Sequence, residues 1–448
     1  MRRILPTCTS FACLAMGASS LLIHLPAQAA TDSATGLLQD LEQACITSNP
    51  DSGLGNDFPV EEVSARPLML ARSLSASPDS TLCENVNSEL SDIDEMNGND
   101  PAALSAARAA FAAEITPDEV PAMYTSLVQL SADQIRNVSH HLRGRRQANS
   151  GDSADTAAIN GLNGYIGGTA GEQPGRFSVF VDGAKVDGNQ DQTAFEVGYD
   201  LETDHFTVGV DYRISADLIA GFAYGKSDTT LEYSEAQNQT DNTTDHYIVY
   251  SSWYRDNFAV DTLIAHATGE FDTERAVVGT TALGSTDNKI TYASLAGSYD
   301  FVDGALTYGT FASFDYLEGE IDAFEESNGG GWAVAFAKQD VKSQIYAMGG
   351  HANYAISFGW GVLIPHVRAE WRTELEDDRD FVVGRFVEDP TSSFTLGTDD
   401  PDSNWYQASA GVSAQLPHGI ALFVDYEEIF EYDDTDLSSV TAGVRWEL

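Results

Sequence analysis

Basic residues are scarce in this chain. Lysine and arginine number 23 against 69 acidic residues, a formal net charge of −46 over 448 residues. So acidic a surface repels phosphates rather than neutralising them, which argues against a nucleic-acid-binding function. Long apolar runs are missing beyond the N-terminus, and the mean hydropathy of −0.22 excludes a bundle of membrane helices. It leaves open a transmembrane β-barrel, whose strands are apolar on one side only. Cysteine is rare too: Cys8 and Cys13 lie at the extreme N-terminus, leaving Cys45 and Cys83 without C-x-x-C spacing. In an oxidising compartment such a pair is expected to form a structural disulfide, not free thiols or a redox site. It would close a loop of about forty residues and contribute about 2–4 kcal/mol. No long repeat of the kind that builds a β-helix is present.

What is there begins with an export signal. Arg2 and Arg3 precede a mostly apolar stretch from Phe11 to Leu25, and Ala27-Gln28-Ala29 gives small-x-small cleavage spacing. The stretch is short and broken by Ser19, Ser20 and His24, so a cleaved signal over 1–29 is expected rather than an anchor. Pro6 and Thr7 before Cys8 do not fit a lipoprotein signal.

Residues 30–115 are polar, acidic and poor in aromatics, with helical periodicity at Leu37 to Cys45 and Ala102 to Ala113 and loop-like composition at Ser52 to Asp57 and Ser73 to Ser80. They are expected to form a short helical or irregular segment. Thr116-Pro117-Asp118-Glu119 then reads as a helix start, with Thr116 as N-cap. Met123, Leu127, Leu130, Ile135 and Val138 extend an apolar stripe, and the helix (116–147) ends in Arg136, Arg143, Arg145 and Arg146 beside His140 and His141. A cationic C-terminal end is favoured by the helix dipole, and equally suits a helix threaded through an acidic lumen. Residues 148–176 are rich in Gly, Ala and Asp and read as a linker.

From Phe177 onward the period is two. Val440, Ala442, Val444, Trp446 and Leu448 share one face of a strand, and Thr441, Gly443, Arg445 and Glu447 the other. Similar alternation occurs at 206–213, 366–372, 406–415 and 420–427. Five tight junctions are expected near Ser215–Asp217, Arg255–Asn257, Val302–Gly304, Phe358–Trp360 and Pro417–Gly419. Six long polar connections are expected around 187–205, 228–243, 271–288, 319–341, 373–403 and 431–436. Ala194 to Asp200 is taken as an extension of the second strand. Short turns alternating with long loops are the asymmetry of outer-membrane barrels, and these junctions give twelve antiparallel strands. Phe177, Tyr212, Tyr254, Phe258, Phe301, Trp360 and Trp446 suit interfacial girdles. On this reading Asp211, Arg213, His366, Arg368, Glu370, Arg372, Asp425 and Arg445 face the lumen, together with Asp182, Asp261, Asp300, Asp315 and Glu427. The carboxylates would be partners for the basic helix end.

With strands and turns placed, the chain resembles the autotransporter β-domain family of type V secretion. Phe206-Thr207-Val208-Gly209-Val210-Asp211-Tyr212-Arg213 and Leu218-Ile219-Ala220-Gly221-Phe222-Ala223-Tyr224-Gly225 resemble its second and third strands. The stretch from Trp360 through Pro365 to Trp371 is similar to its late proline-containing strand, and Gly443 to Leu448 to its closing strand. Ile115 through Arg143 resembles its linker helix. The resemblance implies an all-β, twelve-stranded outer-membrane barrel over 177–448 with an α-helix in its lumen. Insertion by the barrel-assembly machinery would be directed by a C-terminal signal at Val444, Trp446 and Leu448, among lipid and lipopolysaccharide. It also implies export of the preceding segment to the cell surface. Leu448 departs from the usual terminal Phe or Trp, and 30–115 is far shorter than the family's large passengers.

Chemistry is sparse. Gly151-Asp152-Ser153-Ala154 faintly resembles an esterase nucleophile block but lies in a linker without a positioned base. His140 and His141 are adjacent on a helix and point apart, unlike an i, i+4 metal pair. Loop 373–403 holds ten acidic residues, a surface for weak Ca²⁺ or Mg²⁺ association, but without EF-hand spacing. No catalytic, cofactor-binding or dedicated metal site is therefore expected. The leading expectation is a translocator that exports or displays its short N-terminal segment. The alternatives are a helix-plugged porin-like channel and a surface adhesin with acidic extracellular loops.

Overall fold

The computed structural model describes residues 37–39, 41–42, 45, 80–97, 100–117, 119–127, 138, 141–142 and 176–448, the last with gaps at 194, 235–237, 377–380 and 390–392. Twelve antiparallel strands form the barrel: β1 (Phe177–Gln190), β2 (Tyr199–Ser215), β3 (Leu218–Tyr233), β4 (Gln239–Arg255), β5 (Phe258–Val277), β6 (Thr280–Asp303), β7 (Leu306–Ile321), β8 (Gln339–Tyr354), β9 (Gly361–Glu374), β10 (Asn404–Gln415), β11 (Ile420–Phe430) and β12 (Thr435–Glu447). Each pairs with its sequence neighbour, and a short strand at Ile356–Phe358 prolongs the pairing along β9. The sheet closes on itself where β12 pairs with β1, from Ser178 opposite Glu447 to Gln190 opposite Thr435. The Leu448 amide donates to the Phe177 carbonyl at 2.8 Å, so no backbone edge is left at the seam.

The alternating sequence sorts by face as sheet geometry requires. On β12, Val444, Trp446 and Leu448 are exposed on the outside while Arg445 and Glu447 are buried on the inside. On β11, Leu422, Val424 and Tyr426 face out and Asp425 faces in. Aromatics are exposed around the outer wall near the strand ends, among them Phe177, Tyr212, Phe258, Phe301 and Trp360. Among the described residues no helix is long and apolar enough to cross a membrane.

The five tight turns lie at one end of the barrel. Left-handed residues serve three of them: Asp256, Gly304, and the pair His418-Gly419. The other end differs from a set of polar loops. Around 271–288 no loop exists: β5 and β6 run on to a two-residue turn at Val278 (φ 40°) and Gly279 (φ 72°), the paired positive φ that matches strand twist in a hairpin. Connections 322–338 and 375–403 contain a second, four-stranded sheet in the order Phe394–Gly397, Phe381–Phe386, Val334–Phe336, Phe324–Glu325. Strand β2 begins at Tyr199, leaving 195–198 as part of the β1–β2 connection.

Among the described residues before the barrel are the helices α1 (Ser80–Asn97) and α2 (Pro101–Ile115). Asp100 caps α2, its carboxylate accepting from the amides of Ala102 and Ala103 at 3.0 and 3.3 Å, and Pro101 occupies the first turn. Thr116 closes that helix, its hydroxyl donating to the Ala112 carbonyl at 2.8 Å. A disulfide joins Cys45 to Cys83. Arg108 on α2 donates to Asp94 on α1 at 2.9 Å and to Glu42 at 3.3 Å.

Candidate functional site: the lumen and its helix

Residues 119–127, 138 and 141–142 are helical and lie within the barrel. Met123, Leu127, Val138 and Leu142 belong to one buried cluster with wall residues Ile248, Leu263, Ile290 and Leu317. Met123, Leu127 and Val138 of the stripe read from sequence thus face the pore wall. Leu130 and Ile135 of that stripe lie outside the described residues, as do Arg136, His140, Arg143, Arg145, Arg146, the linker 148–175 with Gly151–Ala154, and the signal segment.

Toward the tight-turn end, His141 holds the helix to the wall. Its Nε2 meets the Asp211 carboxylate at 2.7 Å with both side chains buried, and its ring stacks on Phe180 at 3.8 Å. Phe180 lies flat because its neighbour on β2 is glycine: a Cβ at Gly209 would stand 2.2 Å from that ring. The same pairing places Tyr250 over Gly221 and Phe423 over Gly443. Small wall residues therefore leave room for rings, and the rings for the helix.

The remaining wall carries charges that answer one another. Arg372 donates to Glu370 at 3.1 Å and Gln407 at 3.0 Å and stands 3.5 Å from Asp315. Arg368 donates to the other oxygen of Glu370 at 2.6 Å, with its guanidinium over the Phe311 ring. His366 bonds to Asp425, His351 to Asp300 at 3.0 Å, and Arg445 lies 3.6 Å from Glu447. Asp182 is buried on β1, Arg213 and Asp261 are half-buried on β2 and β5, and Glu427 is on β11. Much of the lumen charge is thus paired within the wall. Each ion is stripped of bulk water, so its cost is met by close partners of opposite sign. Among the described residues, no three His, Cys, Asp or Glu side chains converge as metal ligands.

At the loop end a second fastening holds the helix. Thr125 donates to Glu196 at 3.0 Å, the Asp399 amide donates to the same carboxylate at 3.2 Å, and Thr193 donates to Asp399 at 2.6 Å. Burial, then the nearby Asp399 charge, push the Glu196 carboxyl up to about 7. Asp402 is also pushed up to about 7, by burial and then by Asp433. A cavity of about 320 Å³ opens beside this fastening, lined in part by Tyr124, Glu196, Arg372, Trp405 and Tyr432. The sequence reading passed over Glu196, because only the folded loops bring Thr125, Glu196 and Asp399 together.

A closed twelve-stranded barrel, apolar outside, with helical residues inside a charged lumen, has the architecture of an outer-membrane barrel domain. Comparison with known families matches residues 179–427 to the autotransporter beta-domain. The chain belongs to that family, and its place is the outer membrane. Among solved structures it is similar to the translocator domain of autotransporter NalP from Neisseria meningitidis, at 14% identity and a TM-score of 0.51, covering 71% of this chain and 99% of that one. The beta domain of the Bordetella autotransporter BrkA aligns at 16% identity with a TM-score of 0.46, over 61% of this chain and 100% of that one. The transport unit of AIDA-I from Escherichia coli aligns at 10% identity with a TM-score of 0.41, over 65% and 97%. A sequence comparison with curated proteins finds no match.

Proposed function

We propose that this translocator carries its own N-terminal segment, residues 30–115, across the outer membrane by a type V route and keeps the following helix in the pore. The observation that carries this is the path of the chain. Helical residues 119–127 lie beside the fastening at Glu196, among the long loops, and helical residues 141–142 lie near the tight-turn end, where His141 meets Asp211 and β1 begins. Long loops lie outside the cell in barrels of this type, so the segment before the helix is on the outer side. A signal over 1–29, removed on crossing the inner membrane, would start the route. The barrel-assembly machinery would recognise β12 through Val444, Trp446 and Leu448, which face lipid and lipopolysaccharide. The work is mechanical and requires no catalytic residue. Any Ca²⁺ or Mg²⁺ would associate loosely with the acidic outer loops.

Deleting 116–146 while keeping the signal and barrel tests this. The barrel should still assemble as a heat-modifiable band, and an epitope placed near Ser52 should no longer reach antibody on intact cells. Surface labelling equal to that of the full chain would argue against transport along the helix path. Conductance of the purified barrel should rise in the same deletion, and no rise would count against a plug.

A further inference from the structure

The outer ends of β5 and β6 and the four-stranded loop sheet carry large apolar side chains where polar loops would serve solubility. Phe271, Val277, Trp332, Val334, Val382 and Phe386 are all buried. What buries them includes α1 and α2: Leu82, Val86 and Leu90 of α1 and Phe111, Ala112 and Ile115 of α2 belong to the same continuous cluster. Phe111 meets Trp332 edge-on at 5.6 Å, and Trp332 in turn meets Phe386 at 6.2 Å. The Trp332 turn is itself held rigid. Arg275 on β5 donates to Glu326 at 2.7 Å and to the Trp332 carbonyl at 3.0 Å, and Glu326 accepts from the Val334 amide at 2.8 Å. Gly331, with φ 99°, lets α1 approach: a Cβ there would stand 2.4 Å from the Asn85 amide nitrogen.

Uncovered, this platform would present an apolar patch to water on a chain that is otherwise strongly acidic. Helices α1 and α2 could not bury their own apolar stripe alone either, since a two-helix piece this short has too little core. The Cys45–Cys83 disulfide and the contact of Arg108 with Glu42 join these upstream residues to the same body. Each half supplies the core that the other lacks.

We propose that the exported segment is not a released product but a captive lid, docked on the barrel's outer loops through this shared core. This rests on the export reading above. Full-length protein on intact cells, with an epitope near Ser52, is treated with proteinase K, and peptides from 80–115 are followed by mass spectrometry. In the unaltered chain 80–115 should stay cell-associated and resist digestion. In Trp332→Ala, and in Phe111→Ala, which alters no barrel or loop residue, it should be digested roughly a hundredfold faster while the heat-modifiable barrel band is kept. Recovery of 80–115 in the medium, or equal digestion rates in all three chains, overturns the lid. An epitope that antibody cannot reach on intact cells, with an assembled barrel, overturns the export reading instead.

Discussion

Asp211 is a single carboxylate on which the helix depends. It is buried against His141, and removing it takes a close hydrogen bond from that ring, at a cost of about 1–3 kcal/mol. Asp211→Ala should therefore expose the amides at 138–142 to hydrogen exchange while the strand ladders stay protected. Asp211→Asn, which still accepts a hydrogen bond, should keep much of that protection. Equal exchange in both variants and the parent would remove the role given to this contact. Glu196 makes the opposite kind of prediction. Its folded-state value of about 7 lies above the ordinary 4.5, so the folded mouth binds an extra proton between those values. Stability of the fastening then falls as pH rises from about 5 through 7, and is greatest on the acid side. Exchange protection at 195–198, corrected for the intrinsic rise of amide exchange with pH, should fall between about pH 5 and pH 8, and Glu196→Gln should flatten that dependence. At this scale the sequence was informative about faces and silent about partners. Strand period alone places Asp211, Glu370, Arg372, Asp425 and Arg445 on the inner side. That His141 is what meets Asp211 follows from how deep the helix sits in the pore, a quantity no local pattern encodes.

Strands were legible as elements because each has one apolar and one polar face, and tight turns because they need Gly, Asn or Asp. The outer elements were not. Helix α1 carries its stripe, Leu82, Val86, Leu90 and Ile93, at helical spacing, yet acidic and amide residues dilute it below notice. The short loop strands Val334–Phe336 and Phe394–Gly397 sit inside Gly- and Asp-rich stretches that read as loops, and they become strands only by pairing on either side of Phe381–Phe386 and packing under α1 and α2. These elements depend on tertiary contact, so the disulfide should matter to them and not to the barrel. Closing the Cys45–Cys83 loop is worth about 2–4 kcal/mol. Cys83→Ser should accelerate exchange throughout 80–115 and leave β1 to β12 unchanged; loss of barrel assembly in that variant would show that the two are not separable in this way.

For the whole molecule, the strong negative charge and the closed seam belong to one design. Acidic residues outnumber basic ones by 69 to 23, and the β1–β12 pairing leaves no free edge in lipid. On the proposed path the chain crosses this barrel, with 30–115 outside and the tight turns inside. Two epitopes read on the same cells distinguish the two sides, one near Ser52 and one in the Pro417–Gly419 turn. Antibody should reach Ser52 on intact cells and reach the turn only after the outer membrane is opened. A Ser52 epitope that stays silent until the membrane is opened, beside a correctly assembled barrel, would contradict it.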